Sequence, residues 1–577
     1  MDTTRRQTMM TCRLSSLLKN QGTGSATNRG LACGKMRPVA EPEPVLKKGT
    51  GTATNRGLAC GKMRPVAEPV PFFSGRVLRW AMFLAALGLA GAWPNAVCGQ
   101  AAARGAIEPL IRHVAADPQG RAAYTFDQAA YRGDLQSLPI GVFDSGIGGL
   151  TVLEAILTLD AFDNDTLRPV ADGRPDFQDE RFVYLGDQAN MPYGNYPAVD
   201  KTDFLRELIL KDAVFLLGRR FWKAADALEP TFDKPPVKAL VIACNTATAY
   251  GLEDVRAACQ AWNVPVIVVG VVEAGARGVL EAISDGSGRR TVAVLATVGT
   301  CRSRAYPRAI GRAAGLAGKR VPQVIQQGSL GLAGAIEGDP AFVRRVTEEF
   351  AAADAASAAE YLGPRFDHPA TPLLADRSLV YGFDPQGVIG DWSQPDSFRL
   401  NSVANYVRYD VATLVEDYRR SGGTEPIELV VLGCTHFPLI QDEILAAFRR
   451  LRELKGADAK QEDLFRPLIS EQIRIIDPAE LTARELFRTL AAAKLRCRSQ
   501  GSRAAQDLFY LSVPAPGSPG IRLAADGTLD YEYKYGRSSG QVTIEDTRVV
   551  PLRWELLPES SHNLIRSRLP AVWQRLQ

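Results

Sequence analysis

From about Leu138 onward, short apolar runs alternate with helix-length segments, and most runs end in a turn of small polar residues. The runs are Pro139–Phe143 (PIGVF), 181–186 (RFVYLG), 238–243 (KALVIA), 265–270 (PVIVVG), 291–296 (TVAVLA), 322–327 (PQVIQQ), 428–433 (ELVVLG) and 473–477 (IRIID). Most lack the apolar/polar alternation of a half-exposed strand, so both faces need cover, which parallel strands flanked by helices provide. The expected class is α/β.

The order of elements repeats. A strand followed by a polar turn occurs at VFDSG and again at VLATVGT. An intermediate strand occurs at FVYLGDQ and again at QVIQQGS, and a strand ending in cysteine occurs at VIACNT and again at VLGCTH. The pattern predicts two pseudo-symmetric parallel-sheet domains with a site in the cleft between them. In open parallel sheets ligands lie beyond the carboxyl ends of the strands, where all of these turns fall. Two halves facing each other would set Cys244 and Cys434 on opposite sides of one cleft.

That placement carries a chemistry. A thiol of ordinary pKa, about 8.5, becomes a usable base where a helix N-terminus or a cation favours the thiolate. Both cysteines end a strand where a helix should begin, one followed by Asn245-Thr246 and the other by Thr435-His436. Two such groups on opposite faces of a bound molecule could take a proton from one face and return one to the other, giving the mirror image. Other classes are disfavoured. A formal net charge of +4 over 577 residues gives no pointer to nucleic acid. Nine scattered cysteines fit neither a disulfide framework nor paired zinc spacing, and those at 244, 259, 301 and 434 read as free thiols.

Six stretches, IGVFDSGIGGLTVL, YLGDQANMPYG, VIACNTATA, GVVEAGA, LATVGT and LGCTHFPLI, occur in the order of the corresponding motifs of bacterial glutamate racemase, in the aspartate/glutamate racemase superfamily. The resemblance covers roughly Leu138 to Ser512. It implies an isomerase that needs no cofactor and no metal, interconverting L- and D-glutamate with two cysteine bases and supplying D-glutamate for peptidoglycan. By this resemblance Cys244 acts on the D isomer and Cys434 on the L isomer. Asp144, Ser145, Tyr193, Gly194, Asn245, Thr246, Thr435 and His436 match the substrate-binding positions, and Glu273, Thr297 and Thr300 stand behind them. The residue types suit those roles. Hydroxyls and backbone amides can bind a carboxylate, Asn245 can meet carboxylate and amine, and Asp144 or His436 can assist proton movement at a thiol. Aspartate or another small acid as substrate, and an inactive binding homologue, are the alternatives; the complete DSG, PYG, CNT and CTH set favours glutamate.

Each motif alone is weak. A single buried cysteine at a strand end is more often a small core residue, glycine-rich turns after strands are common, and Cys434 with His436 supplies only two metal ligands. Cys259 and Cys301 read as structural, and His113, His368 and His562 as surface residues. Pairing of the cysteines within flanking motifs reverses the odds.

The rest of the chain divides as follows. Residues 1–75 contain a near-identical repeat (22–42 and 49–69) too poor in large apolar residues to form a core. Residues 76–101 hold two arginines and an apolar stretch at 80–93 of signal-peptide length, which leaves a membrane tether or export open. Residues 138–275 plus about 473–515 are expected as one racemase domain and 285–470 as the other, with a surface insertion at about 340–425. Residues 516–577 form a C-terminal extension with hairpin-like alternation followed by a helix. A homodimer is an open reading. Free catalytic thiols favour the cytoplasm.

Overall fold

The computed structural model describes residues 105–577 except 284–289, 340–341, 344–379, 391–398, 456–463, 498–505 and 516. The N-terminal repeat, the apolar segment at 76–101 and His368 lie outside the described residues.

The apolar runs form two sheets. After helix α1 (Glu108–Ala116) come β1 (Ile140–Asp144), α2 (Leu150–Thr158), β2 (Phe182–Gly186), α3 (Thr202–Leu217), β3 (Ala239–Ile242), α4 (Asn245–Ala261), β4 (Ile267–Gly270) and α5 (Val271–Ala282). The second series is β5 (Thr291–Thr297), α6 (Val298–Ser303), α7 (Ala305–Leu316), β6 (Gln323–Ser329) and α8 (Leu332–Glu337). It continues with the short β7 (Val388–Ile389) and β8 (Arg399–Leu400), α9 (Val403–Arg420), β9 (Ile427–Gly433), α10 (Gln441–Arg452), β10 (Ile469–Ile476) and α11 (Pro478–Ala492). The chain then returns as β11 (Leu508–Pro514), α12 (Tyr531–Gly536), β12 (Thr547–Pro551), α13 (Glu559–Arg568) and α14 (Pro570–Leu576).

The first sheet has the order β12-β11-β2-β1-β3-β4 and the second β10-β9-β5-β6. Within them β2-β1-β3-β4 and β6-β5-β9-β10 run parallel in the same plan, so β1 corresponds to β5, β2 to β6 and β3 to β9. The doubled order of motifs thus becomes a doubled topology. Cys244 follows β3 and Cys434 follows β9, equivalent strands in the two sheets. One buried cluster draws on both sheets, with Ile140, Val142 and Tyr184 from the first and Ala293, Val430 and Leu432 from the second. The opposite face of the first sheet packs on α3 and α4, and that of the second on α5 and α7. Burial of these runs on both faces accounts for their unbroken apolar character.

Several expectations are corrected. Residues 399–420 belong to the body of the fold and not to a surface insertion. Ser402 caps α9 by accepting from the Asn405 N–H, and the helix buries Val407, Val411, Leu414 and Val415 at helical spacing against β6 and α10. Ile469–Ile476 pairs with β9, so the chain returns to the first sheet only after α11, later than the expected crossing near 473. In the extension a single antiparallel bridge joins Leu523 to Leu529, Asp530 caps the helical Tyr531–Gly536, and β12 pairs antiparallel with β11. His113 and His562 are half-buried, each with a ring nitrogen against a backbone carbonyl, of Ala123 and Trp554 respectively. Cys497 joins Cys244, Cys259, Cys301 and Cys434 as a free cysteine among the described residues. Among the described residues no helix is long and apolar enough to cross a membrane.

The extension ends on α14, whose first N–H groups at Ala571 and Val572 donate to the Glu154 carboxylate on α2 at 3.0 and 2.8 Å. Replacing Glu154 with Ala leaves two helix-terminal donors without this partner, at a cost of about 1–2 kcal/mol. Thermal or urea unfolding of the variant should show a loss of this size, and unchanged stability would count against α14 docking through Glu154.

Candidate active site

The site begins at the first glycine turn. Asp144 ends β1 with its side chain fully buried, and its Oδ2 accepts from the Gly149 N–H at 2.8 Å, closing the DSGIGG turn on itself. Oδ2 also lies 3.5 Å from the Thr435 hydroxyl of the second sheet's turn, while Oδ1 has no hydrogen-bond partner in the structure. Burial raises the Asp144 pKa, opposed by the nearby His436. Thr151, one turn further on, donates to the Thr435 carbonyl at 2.9 Å. Gly148 is required by close approach, because a Cβ there would lie 2.3 Å from Cε1 of His436.

Cys244 caps α4. Its sulfur accepts from the Ala247 N–H at 3.4 Å and lies 3.8 Å from Ser145 Oγ. Burial, with the charge of Asp144 adding to it, pushes this thiol well above its ordinary value, so it is protonated near neutrality. Beyond it, Thr246 Oγ1 meets Thr297 Oγ1 at 2.8 Å and Thr300 Oγ1 at 3.1 Å, which ties the CNT turn to the end of β5. Asn245 Oδ1 accepts from the Tyr306 hydroxyl at 2.6 Å.

On the other side, Cys434 Sγ is 3.7 Å from His436 Nδ1, and His436 Nε2 is 2.7 Å from Glu337 Oε1. Burial alone would lower the His436 pKa, but Cys434 and Glu337 together outweigh it and raise it well above the ordinary 6.5. The imidazole is therefore a cation near neutrality, placed to stabilise negative charge on the Cys434 sulfur. Nothing comparable stands beside Cys244. The two thiols thus share a location and differ in charge environment.

Of the sequence-expected residues, Asp144, Ser145, Cys244, Asn245, Thr246, Thr297, Thr300, Cys434, Thr435 and His436 gather at these strand ends. Tyr193 is placed differently from a side-chain ligand. Its hydroxyl is 2.5 Å from Asp187 Oδ2 and 2.6 Å from Asp212 Oδ2. A phenol carries one hydrogen, so one of these carboxyls must hold another, and burial raises both, Asp212 well above its ordinary range. What this turn offers the site is its backbone: Gly194 abuts Thr297, whose Cβ would lie 2.9 Å from a Cβ at 194. Glu273 sits on α5 with Oε2 buried and unpartnered, and no hydrogen bond joins it to either thiol.

Sequence reading missed Glu337, Gln188 and Tyr306. Glu337 ends α8 and also accepts from Gln188 Nε2 at 3.2 Å, which links the second half to the turn after β2. Its only sequence signal is an acid closing a short apolar helix before Gly338, and that spacing points to no chemistry by itself. Among the described residues no group of three or more His, Cys, Asp and Glu side chains is disposed to hold a metal ion.

The family described as Asp/Glu/Hydantoin racemase matches residues 222–362. The family resemblance is borne out. Among the similar proteins are a glutamate racemase of Enterococcus faecalis, 36% identical over 171 residues (30% of this chain and 46% of the relative), and one of Lysinibacillus sphaericus, 37% identical over 172 residues (30% and 48%). The chain thus spans about half the length of these curated relatives, and the family match includes Cys244 and stops short of Cys434. Solved structures with likeness to it include a glutamate racemase from Bacillus anthracis, at 22% identity and TM-score 0.37 over 65% of this chain and 88% of that one. Another is a Francisella tularensis glutamate racemase in complex with D-glutamate, at 18% identity and TM-score 0.35 over 70% and 96%.

NMR titration of the four imidazoles tests the charge pair. His436 should titrate above 6.5, and Glu337→Gln should move it down, since the neutral amide no longer favours the cation. The stability contributed by this raised pKa is full below 6.5 and is lost as pH rises through the folded value. A His436 titration unchanged in Glu337→Gln would refute the pairing.

Proposed function

We propose that the protein is a glutamate racemase that works with two thiol bases and no cofactor. The observation that carries this reading is the placement of Cys244 and Cys434 at the carboxyl ends of equivalent strands of two parallel sheets, with Asp144 of the first turn in contact with Thr435 of the second. In one direction Cys434, as thiolate beside the His436 cation, removes the α-proton of L-glutamate, and the S–H of Cys244 delivers a proton to the opposite face. One C–H bond breaks, one forms with inversion, and the two sulfurs have exchanged protonation states. The reverse direction starts from that exchanged state. Backbone amides and hydroxyls at Ser145, Thr246 and Thr435 supply donors for the carboxylates, and the unpartnered Asp144 Oδ1 supplies an acceptor for the α-ammonium. D-Glutamate made this way would feed peptidoglycan synthesis, and the need to keep two thiols reduced favours a cytoplasmic setting.

Protein from residue 102 onward, incubated with either glutamate enantiomer in deuterium oxide, should incorporate deuterium at the α-carbon with inversion. Cys244→Ala and Cys434→Ala should each lower racemisation by several orders of magnitude. An undiminished rate in either variant would sink the two-base assignment, and turnover of aspartate in place of glutamate would reassign the substrate.

A further inference from the structure

The chain after β11 carries no recognised motif, yet its polar side chains converge on the candidate site. Lys534 Nζ donates to the Met191 carbonyl at 2.8 Å, immediately before the Pro192-Tyr193-Gly194 turn. Arg537 donates to Asn190 Oδ1 at 2.5 Å and to the Tyr196 hydroxyl at 3.3 Å, and pairs with Asp546 of the extension at 2.7 Å. On the other side of the site, Ser560 Oγ donates to the Glu337 carbonyl at 2.6 Å, and Ser561 Oγ lies 3.5 Å from the same oxygen. Gly338, at φ +77°, sits so close that a Cβ there would be 2.4 Å from Ser560 Oγ. The short helix that delivers Glu337 therefore ends against the first turn of α13. Through α14 the same extension is anchored to α2, the helix that follows the DSGIGG turn.

We propose that the C-terminal extension is a built-in positioning element for the reaction, in which Ser560 fixes the Glu337 backbone so that its carboxylate meets His436 and thereby tunes Cys434. This rests on the racemase reading for its catalytic consequence and on the Ser560–Glu337–His436–Cys434 chain of contacts for its effect on Cys434. α8 is only six residues long, too short to hold its own C-terminal carbonyls rigidly. Glu337 must nevertheless place one carboxylate oxygen 2.7 Å from an imidazole nitrogen of another element. An external donor on the Glu337 carbonyl removes that freedom. Ser560 touches no reacting atom and acts through Glu337 and His436.

The test uses the full chain with Ser560→Ala and Ser560→Thr, and reads two quantities. The first is kcat/KM for each glutamate enantiomer. The second is the rate of iodoacetamide modification of Cys434 relative to Cys244, resolved by peptide mass spectrometry. In Ser560→Ala, kcat/KM should fall roughly tenfold, equally in both directions because mirror images have equal free energy, with the loss mainly in kcat. Cys434 modification should slow severalfold relative to Cys244, because a loosened Glu337 supports the His436 cation less well. Ser560→Thr, which keeps the hydroxyl, should restore both. If Ser560→Ala does not fold, the near-isosteric pair Ser560→Thr and Ser560→Val makes the same comparison. A Cys434-to-Cys244 ratio that ignores loss of the hydroxyl overturns the positioning role even if the protein racemises glutamate. A ratio that responds in a protein without racemase activity upholds the positioning role and overturns the racemase reading.

Discussion

The paired strand ends depend on how closely the DSGIGG turn of the first sheet can approach the CTH turn of the second. Gly148 sets that distance, because any side chain there would occupy the space of the His436 ring. Once the turns meet, Thr151 can reach the Thr435 carbonyl and Asp144 the Thr435 hydroxyl, so that the buried carboxylate that acts on Cys244 also touches the turn that carries Cys434. The glycine turn, a weak signal as a motif, is thus the contact through which the two halves share a site.

Burying so many ionisable groups together is costly unless each has a defined partner. Here the costs are met unevenly. His436 and Glu337 satisfy one another, and Gln188 supplies a second donor to Glu337. Asp187 collects hydrogen bonds from Ser512, Asn190 and Tyr193. Asp144 keeps one buried oxygen without a partner. Glu273 Oε2 is likewise buried and unpartnered, but the Asp144 oxygen lies where the two turns meet, and there the polar network remains open to an incoming donor.

Much of the architecture was legible in the residues because it follows from periodicity. Unbroken apolar runs require cover on both faces, and their repeated order required two sheets of one plan. The cysteines, the DSG turn and the hydroxyl-bearing turns were legible for the same reason, since each lies directly at a strand's carboxyl end. Glu337 was not, because it reaches the site from the far end of a helix eight residues beyond β6, and only tertiary packing brings it to His436. Tyr193 shows the converse. Its motif marked the position, but the phenol is drawn into the Asp187–Asp212 pair, an environment assembled from β2, α3 and β11 that no local pattern encodes. The helix at 403–420 was hidden because the Pro-, Asp- and Gly-rich stretch before it suggested that the whole region was surface loop.

The same separation explains how asymmetry arises within a duplicated plan. Equivalent strands give equivalent sulfur positions, and topology alone would make the two thiols alike. What differs is contributed by the residues just after each strand and by elements packed from outside it. Cys244 accepts from a backbone N–H and donates to the Ser145 hydroxyl oxygen, and burial together with the Asp144 charge holds it as a thiol. Cys434 receives an imidazole that is itself paired to an acid on α8. The two strand ends therefore differ in the groups that face each sulfur although they share one topology. Since α8 is in turn contacted by the extension through Ser560, the surroundings of the second strand end draw on a part of the chain that lies outside the repeated plan.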